Sequence, residues 1–144
     1  MNAQNVMNRL YKFFVYFGIF IFIGTMVELL ALRHYREELQ IVPIILVPLG
    51  ILLAVLFLVK TTPFVQKASL IGMWIVAAGG AMGMIVHVVS NLESVFEGGL
   101  TLSFGQILQQ AIGGRNPLLA PGTLTIGAAM ILAVYYAKKA LKDA

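Results

Sequence analysis

Four long apolar stretches constrain what this sequence can fold into. They cover approximately residues 13–32, 41–59, 70–89 and 118–137. Each is close to the length of about 20 mostly apolar residues that an α-helix needs to cross a lipid bilayer. Because the bilayer interior offers no water to the backbone, each stretch must satisfy its own N–H and C=O groups as a helix. We therefore predict an all-α, polytopic integral membrane protein, a bundle of four transmembrane helices in a single domain over residues 1–144.

Composition and motifs exclude several other classes of protein. Hydrophobic residues make up 60% and charged residues 11% of the 144 residues, more apolar surface than a soluble domain of this size can bury. The chain has no cysteine, which excludes disulfides and thiolate metal sites. It also lacks the P-loop, G-x-S-x-G, H-E-x-x-H and Rossmann motifs. We predict no catalytic residue and no metal site, and we favour a protein that is not an enzyme.

The distribution of lysine and arginine predicts the orientation in the membrane. With four spans, the N-terminus, the second connection and the C-terminus lie on the same side. That side holds seven of the ten basic residues: Arg9, Lys12, Lys60, Lys67, Lys138, Lys139 and Lys142. Because cytoplasmic loops are enriched in basic residues, we expect both termini in the cytoplasm and the protein in the inner (plasma) membrane. The net charge of +4 follows from this topology, so no nucleic-acid partner is expected.

The third apolar stretch has one face of small and polar residues. At 100° per residue, Gly72, Gly79, Gly80, Gly83, His87 and Asn91 fall within an arc of about 120°, together with several serines. Bulky apolar residues such as Trp74 and Met82 occupy the opposite side. Glycines at this spacing let a second helix, or a flat ligand, approach the backbone closely. The face therefore predicts either helix packing or a ligand recess.

Two ionisable residues, Glu28 and His87, lie inside otherwise apolar stretches. Glu28 shares a face of the first stretch with Gly18, Gly24 and Thr25. In the predicted topology, Glu28 and His87 both reach the outer part of the bilayer, about 22–26 Å from the inner ends of their helices. A lone carboxylate is costly at that depth, so we expect Glu28 and His87 to face each other. Thr25 and Asn91 then complete a binding or proton-accepting site.

The same histidine suggests cofactor chemistry as an alternative. His87, beside the glycines of the third stretch, has the room to serve as an axial ligand of a haem or chlorin, or as part of a quinone site. A single histidine without cysteine is a poor metal-ligand set, however. The identity of any cofactor stays open at this point.

The third connection, residues 93–121, is far longer than a link between two helices requires, and long ordered loops often have a function. Its apolar residues Phe104, Leu108 and Ile112 recur at helical spacing. Ser103 with Gln106 matches a capping box, and Gly113-Gly114 can end a helix. We predict a short amphipathic helix over about 103–112 on the outer face, which either rests in the headgroups or acts as a lid or a docking element.

The chain resembles the small multidrug resistance transporters in its four helices, in the lone glutamate of the first helix and in the glycines of the third. That likeness implies a four-helix fold that exchanges protons for cations at Glu28. The chain departs from the family in its long third connection and in the position of Glu28 near the outer surface. The chain is also similar in general appearance to small bacterial membrane proteins.

Taken together, these features predict a non-catalytic accessory or scaffold subunit of a larger bacterial membrane assembly. Expected partners are the lipid bilayer and either other membrane subunits or further copies of the chain. The alternative is a small proton-coupled transporter, or a redox protein that binds haem, chlorin or quinone, with a site at Glu28 and His87.

Overall fold

A computed structural model describes residues 2–33, 38–60, 62–99, 102–116 and 118–143, without the side chains of residues 38, 39 and 142. These residues form five α-helices: α1 Ala3–Ala31, α2 Glu38–Val59, α3 Pro63–Glu97, α4 Phe104–Gly113 and α5 Leu119–Asp143. Helices α1, α2, α3 and α5 are long and apolar enough to cross a membrane. The predicted all-α bundle with four membrane spans is confirmed, and the chain is a multi-pass membrane protein.

The long helices extend beyond the apolar stretches of the sequence. α1 has 29 residues and α3 has 35, which at 1.5 Å per residue makes them about 43 and 52 Å long. The apolar core of a bilayer is about 30 Å thick, so both helices project from it. Their polar ends are still helical because local signals continue the helix: Asn2 caps α1 through a hydrogen bond from Gln4 N, and Pro63 begins α3.

The four long helices form a ring in which α1 packs on α2 and α5, and α3 also packs on α2 and α5. α1 and α3 are therefore diagonal, and within the described residues no Cα atom of one lies within 8 Å of a Cα atom of the other. At one end, which we call the α4 end, α4 covers α3 where α1 has ended and α5 begins. At the opposite end, the terminal end, α1 begins and α5 finishes beside the α2–α3 turn.

Phe22 of α1 occupies the centre of the bundle and is fully buried. Its ring lies between two glycines, Gly50 of α2 and Gly127 of α5. A Cβ atom added to Gly50 would approach the ring to 2.9 Å, and one added to Gly127 to 2.8 Å. These distances are too short for carbon–carbon contact. The two glycines thus make room for a large side chain that joins three helices.

α4 begins where the sequence indicates. Gln106 Oε1 accepts hydrogen bonds from both the backbone N–H and the hydroxyl of Ser103, each at 2.9 Å. The helix then ends at Gly113. The predicted short helix over 103–112 is therefore present, displaced by one residue.

Candidate functional site

The α4 end holds most of the buried polar side chains that the sequence pointed to. Thr25 is 3% exposed and Asn91 is 2% exposed, and both lie among helices that meet near α4. Buried polar groups are costly unless they are hydrogen-bonded, so their partners indicate what this end of the bundle can do.

Thr25 binds across the α1–α5 interface rather than toward α3. Its Oγ1 lies 2.8 Å from Oγ1 of Thr123 in α5. Each hydroxyl is also 2.9 Å from a carbonyl oxygen of its own helix, that of Ile21 for Thr25 and that of Ala120 for Thr123. Each hydroxyl has one proton to donate, so one threonine donates to the other, and the one that accepts donates to its own backbone carbonyl. Thr25 therefore serves helix packing.

Asn91 fastens α3 to the turn between α4 and α5. Its Nδ2 donates to the carbonyl oxygens of Ala111 at 3.2 Å and Asn116 at 2.9 Å. Its Oδ1 accepts from the backbone N–H of Asn116, also at 2.9 Å. Asn116 Nδ2 in turn donates to Ser90 Oγ at 3.1 Å. A side-chain amide has two donor hydrogens, and both of those of Asn91 are occupied by the protein itself.

The predicted pairing of Glu28 with His87 is wrong. Glu28 belongs to α1 and His87 to α3, and these helices are diagonal in the bundle. Both side chains are half-buried. Among the described residues, the Glu28 carboxylate takes part in no hydrogen bond or ion pair. Thr25 and Asn91, expected to complete the pair, are bonded elsewhere. The expectation failed because helical rotation gives the face of a residue but does not identify the neighbouring helix.

Two of the predicted glycines of α3 lie against α2. A Cβ atom on Gly72 would collide with the Leu53 side chain, and one on Gly79 would collide with that of Leu46. Each glycine therefore accepts a leucine from the neighbouring helix. This is the close approach that small residues permit in membrane bundles.

The other two, Gly80 and Gly83, lie against the start of α5. A Cβ atom on Gly80 would be 2.8 Å from the carbonyl oxygen of Pro121 and would also collide with the Thr125 hydroxyl. One on Gly83 would be 3.0 Å from Pro121 Cβ. A haem, chlorin or quinone laid on this face would have to displace α2 and α5. The glycine face is thus filled by protein.

The opposite side of α3 is exposed, as the sequence predicts for a lipid-facing surface. Trp74, Met82 and Ile85 are each more than half exposed.

Gly24 of α1 was predicted to lie on the same small-residue face as Gly18 and Thr25. The structure leaves it outside the helix contacts, because nothing lies within 4 Å of a Cβ atom added there. The predicted small-residue face of α1 is therefore narrower and consists of Gly18 and Thr25, both buried.

α4 buries the small residue Ala111 against the bundle and presents three of its four large apolar residues outward. Ala111 is buried against the rest of the protein, whereas Phe104 is 81% exposed and Ile112 53% exposed. Leu108 lies on the same outer face and is 49% exposed. An apolar face exposed at the end of a membrane bundle suits the boundary between headgroups and acyl chains.

Asn116 is the residue of this end that the sequence reasoning missed. It lies between Gly113-Gly114 and Pro117, a spacing that indicates only a turn. Its partnership with Asn91, 25 residues away, has no local signal. Gly114 completes the contact, since a Cβ atom there would be 3.0 Å from Asn91 Cγ.

In the described part of the chain, no three His, Asp or Glu side chains are grouped so as to hold a metal ion. Within the bundle, the gap between Ser69, Met73 and Ile131 has no room for a water molecule. The geometry therefore supports packing and helix fastening at Thr25, at Asn91 and at the four glycines of α3. No family model matches the sequence, and searches of curated proteins and of solved structures found no match.

Proposed function

We propose that this protein is a non-catalytic accessory or scaffold subunit of a larger bacterial membrane assembly. The observation that carries the proposal is the use of the buried polar side chains. Thr25 and Asn91 are both hydrogen-bonded within the bundle. The space beside Gly80 is filled by Thr125 and Pro121. A transporter or an enzyme needs polar groups free to meet a substrate. A scaffold needs a rigid bundle with surfaces that other subunits recognise.

The outer surface of α1 offers one such surface. Phe13 and Phe17 stack with ring centroids 5.9 Å apart and planes 9° from parallel, and Phe20 continues the row at 6.2 Å from Phe17. All three are exposed, Phe20 to 68%. Aromatic rings bury a large area on contact and favour stacked geometry, so this row suits a transmembrane helix of a partner or of a second copy.

The proposal includes the position in the cell. With both termini in the cytoplasm, as the lysine and arginine distribution favours, the α4 end faces outward from the inner membrane. The exposed apolar face of α4 then lies in the outer leaflet, where it can rest in lipid or meet an external part of a partner.

Purification in mild detergent, followed by native mass measurement and an absorption spectrum, tests the proposal. We expect a colourless protein that leaves the membrane with other subunits, or as a self-associated species. A Soret or chlorin band in stoichiometric amount would overturn it. A variant with Phe13, Phe17 and Phe20 replaced by leucine should lose the association, while replacement of Trp74, Met82 and Ile85 of α3 by leucine should keep it.

A specific observation also favours a second candidate, a small proton-coupled transporter. The half-buried Glu28 carboxylate has no hydrogen bond or ion pair among the described residues, so it is chemically able to take up a proton. Proteoliposomes that contain the purified protein and a trapped pH dye test this. Proton-driven uptake of a cation that is lost in Glu28→Gln and partly kept in Glu28→Asp would favour transport over the scaffold proposal.

A further inference from the structure

A cavity of about 580 Å³ opens at the terminal end of the bundle. It lies where α1 and α3 begin and where α2 and α5 end. Its walls include Tyr11, Phe57, Gln66, Tyr135, Lys138 and Lys139. The volume falls in the range of about 300–1,000 Å³ that small-molecule sites occupy. No binding role was predicted for any of these positions from the sequence.

The cavity has an aromatic base and a cationic rim. Tyr11 and Phe57 are buried, whereas Lys138 and Lys139 are exposed. The Lys138 ammonium lies 5.2 Å from the centre of the Phe57 ring and 5.8 Å from that of Tyr11. Attraction between a cation and an aromatic face holds this ammonium over the base of the cavity. No acidic side chain is among the described residues that line it. Lys138 and Lys139 are thus the charged side chains among the described residues of the cavity wall.

The hydroxyl of Tyr11 is a second, independent sign of a ligand. Tyr11 is 6% exposed, and its Oη is the one buried side-chain polar atom without a hydrogen-bond partner in the described part of the chain. Buried hydroxyls are normally hydrogen-bonded, so this one indicates a missing acceptor or donor. Side chains on a helix lean toward its N-terminus, which for α1 is the end that holds the cavity.

The wall contributed by the α2–α3 turn is fixed in place. Gln66 Nε2 donates to the carbonyl oxygen of Lys60 at 2.8 Å and reaches that of Phe57 at 3.4 Å. The Phe57 carbonyl belongs to the last turn of α2 and that of Lys60 follows the helix, so neither has a partner within α2. Gln66 Nε2 thus ties the first turn of α3 to the end of α2, and its Oε1 atom is an acceptor on the cavity wall.

From these features we infer that the terminal cavity binds the phosphate of an anionic lipid headgroup. Two lysines and a phenol are suitable donors for phosphate oxygens, and the aromatic base suits the glycerol and the first carbons of the acyl chains. The cavity lies where spanning helices leave the bilayer, which is where basic pockets between helices bind anionic lipids. Free phosphate shares this chemistry but lacks the acyl chains.

Binding is tested with delipidated full-length protein in mild detergent, titrated with dioleoylphosphatidylglycerol or dioleoylphosphatidylcholine. Bound lipid is counted by native mass spectrometry, and Tm is followed in parallel. We expect phosphatidylglycerol to bind and to raise Tm, and phosphatidylcholine to do neither. Lys138→Gln and Lys139→Gln should each weaken phosphatidylglycerol binding about fivefold, the effect of one basic residue near anionic headgroups. Lys67→Gln is the matched control, because Lys67 is exposed on α3 and lies outside the cavity.

Tyr11→Phe separates a ligand contact from a structural role. It removes only the hydroxyl, so without lipid the variant should be at least as stable as the native protein, because an unpartnered polar group has been removed. With phosphatidylglycerol it should gain less stability than the native protein. Unchanged binding in Tyr11→Phe would exclude the hydroxyl from the site.

Two further results bear on the inference. A rise in Tm with inorganic phosphate alone, equal to that with phosphatidylglycerol, would mean that the cavity binds a soluble phosphate. That result would overturn the inference of a lipid ligand. Equal binding of both lipids would overturn the preference for an anionic headgroup, because phosphatidylcholine carries the same phosphate with a compensating cation. An equal loss in Lys138→Gln and Lys67→Gln would overturn the phosphate site altogether.

Discussion

Asn91 and Asn116 bind each other through two hydrogen bonds, each 2.9 Å long. The Asn116 backbone N–H donates to Asn91 Oδ1, and Asn91 Nδ2 donates to the Asn116 carbonyl oxygen. One buried side chain of α3 thus satisfies both backbone groups of a residue in the turn that leads into α5. Buried backbone groups outside regular secondary structure need partners of this kind.

Replacing Asn91 by alanine should loosen the α4 end. The change leaves the backbone groups of Asn116 and the Ala111 carbonyl without their partner, which costs roughly 1–3 kcal/mol per buried group left unpaired. We expect a lower Tm and faster amide hydrogen exchange over residues 104–116, with little change in α1 and α2. Ser94→Ala is the control, because Ser94 is exposed and bonds only within its own helix, to the Ser90 carbonyl at 3.0 Å. Equal exchange in the two variants would contradict a fastening role for Asn91.

Gly80→Leu should destabilise the bundle far more than Ala78→Leu. Gly80 lies against the Pro121 carbonyl oxygen, whereas Ala78, two residues earlier, is exposed on the outer side of α3. Overpacking of a filled contact costs about 1–3 kcal/mol, and added volume at a lipid-facing position costs little. Thermal unfolding in detergent measures the difference. Similar Tm values for the two variants would mean that α3 and α5 are not in contact at Gly80.

Thr25 and Thr123 should be energetically coupled. Their hydroxyls are 2.8 Å apart across the α1–α5 interface. Thr25→Val and Thr123→Val keep the side-chain shape and remove one hydroxyl each. In membrane proteins such double-mutant cycles average about 0.6 kcal/mol, so we expect the double variant to lose less stability than the sum of the two single ones. An additive result would place the two hydroxyls out of contact in the folded protein.

Glu28 and His87, in contrast, should behave independently. They belong to helices that lie diagonally in the bundle, and the effects of distant sites add within about 0.3–0.5 kcal/mol. The Tm change of Glu28→Gln combined with His87→Gln should therefore equal the sum of the separate changes. A coupling well above that limit would restore the direct pairing that the sequence suggested.

Cysteine labelling tests the orientation, since the chain has no cysteine of its own. Gln109 of α4 and Lys67 of α3 are both exposed and lie at opposite ends of the bundle. With both termini in the cytoplasm, Gln109→Cys should react with an impermeant maleimide added to intact cells. Lys67→Cys should react only after permeabilisation. If Lys67→Cys alone were labelled in intact cells, the orientation would be the reverse, with both termini outside the cell.

The amino-acid sequence by itself determined the class of fold, the four membrane spans and the short fifth helix. The length and hydrophobicity of each span are local properties, and a bilayer allows an apolar chain almost no choice but a helix. The start of α4 was equally local, because Ser103 and Gln106 are only three residues apart. Even the lipid-facing side of α3, with Trp74 and Met82, followed from helical periodicity.

Only the tertiary structure decided which faces meet. Rotation along a helix places Glu28, Thr25 and His87 on particular faces, but it contains no information on whether α1 adjoins α3 or lies diagonal to it. In the folded bundle, Thr25 is hydrogen-bonded to Thr123 and Asn91 to Asn116. Glu28 and His87 lie on diagonal helices and do not pair. The terminal cavity around Tyr11 and Lys138 likewise needs the ends of four helices at once. Such contacts join residues far apart in the chain, and packing of the whole bundle selects them.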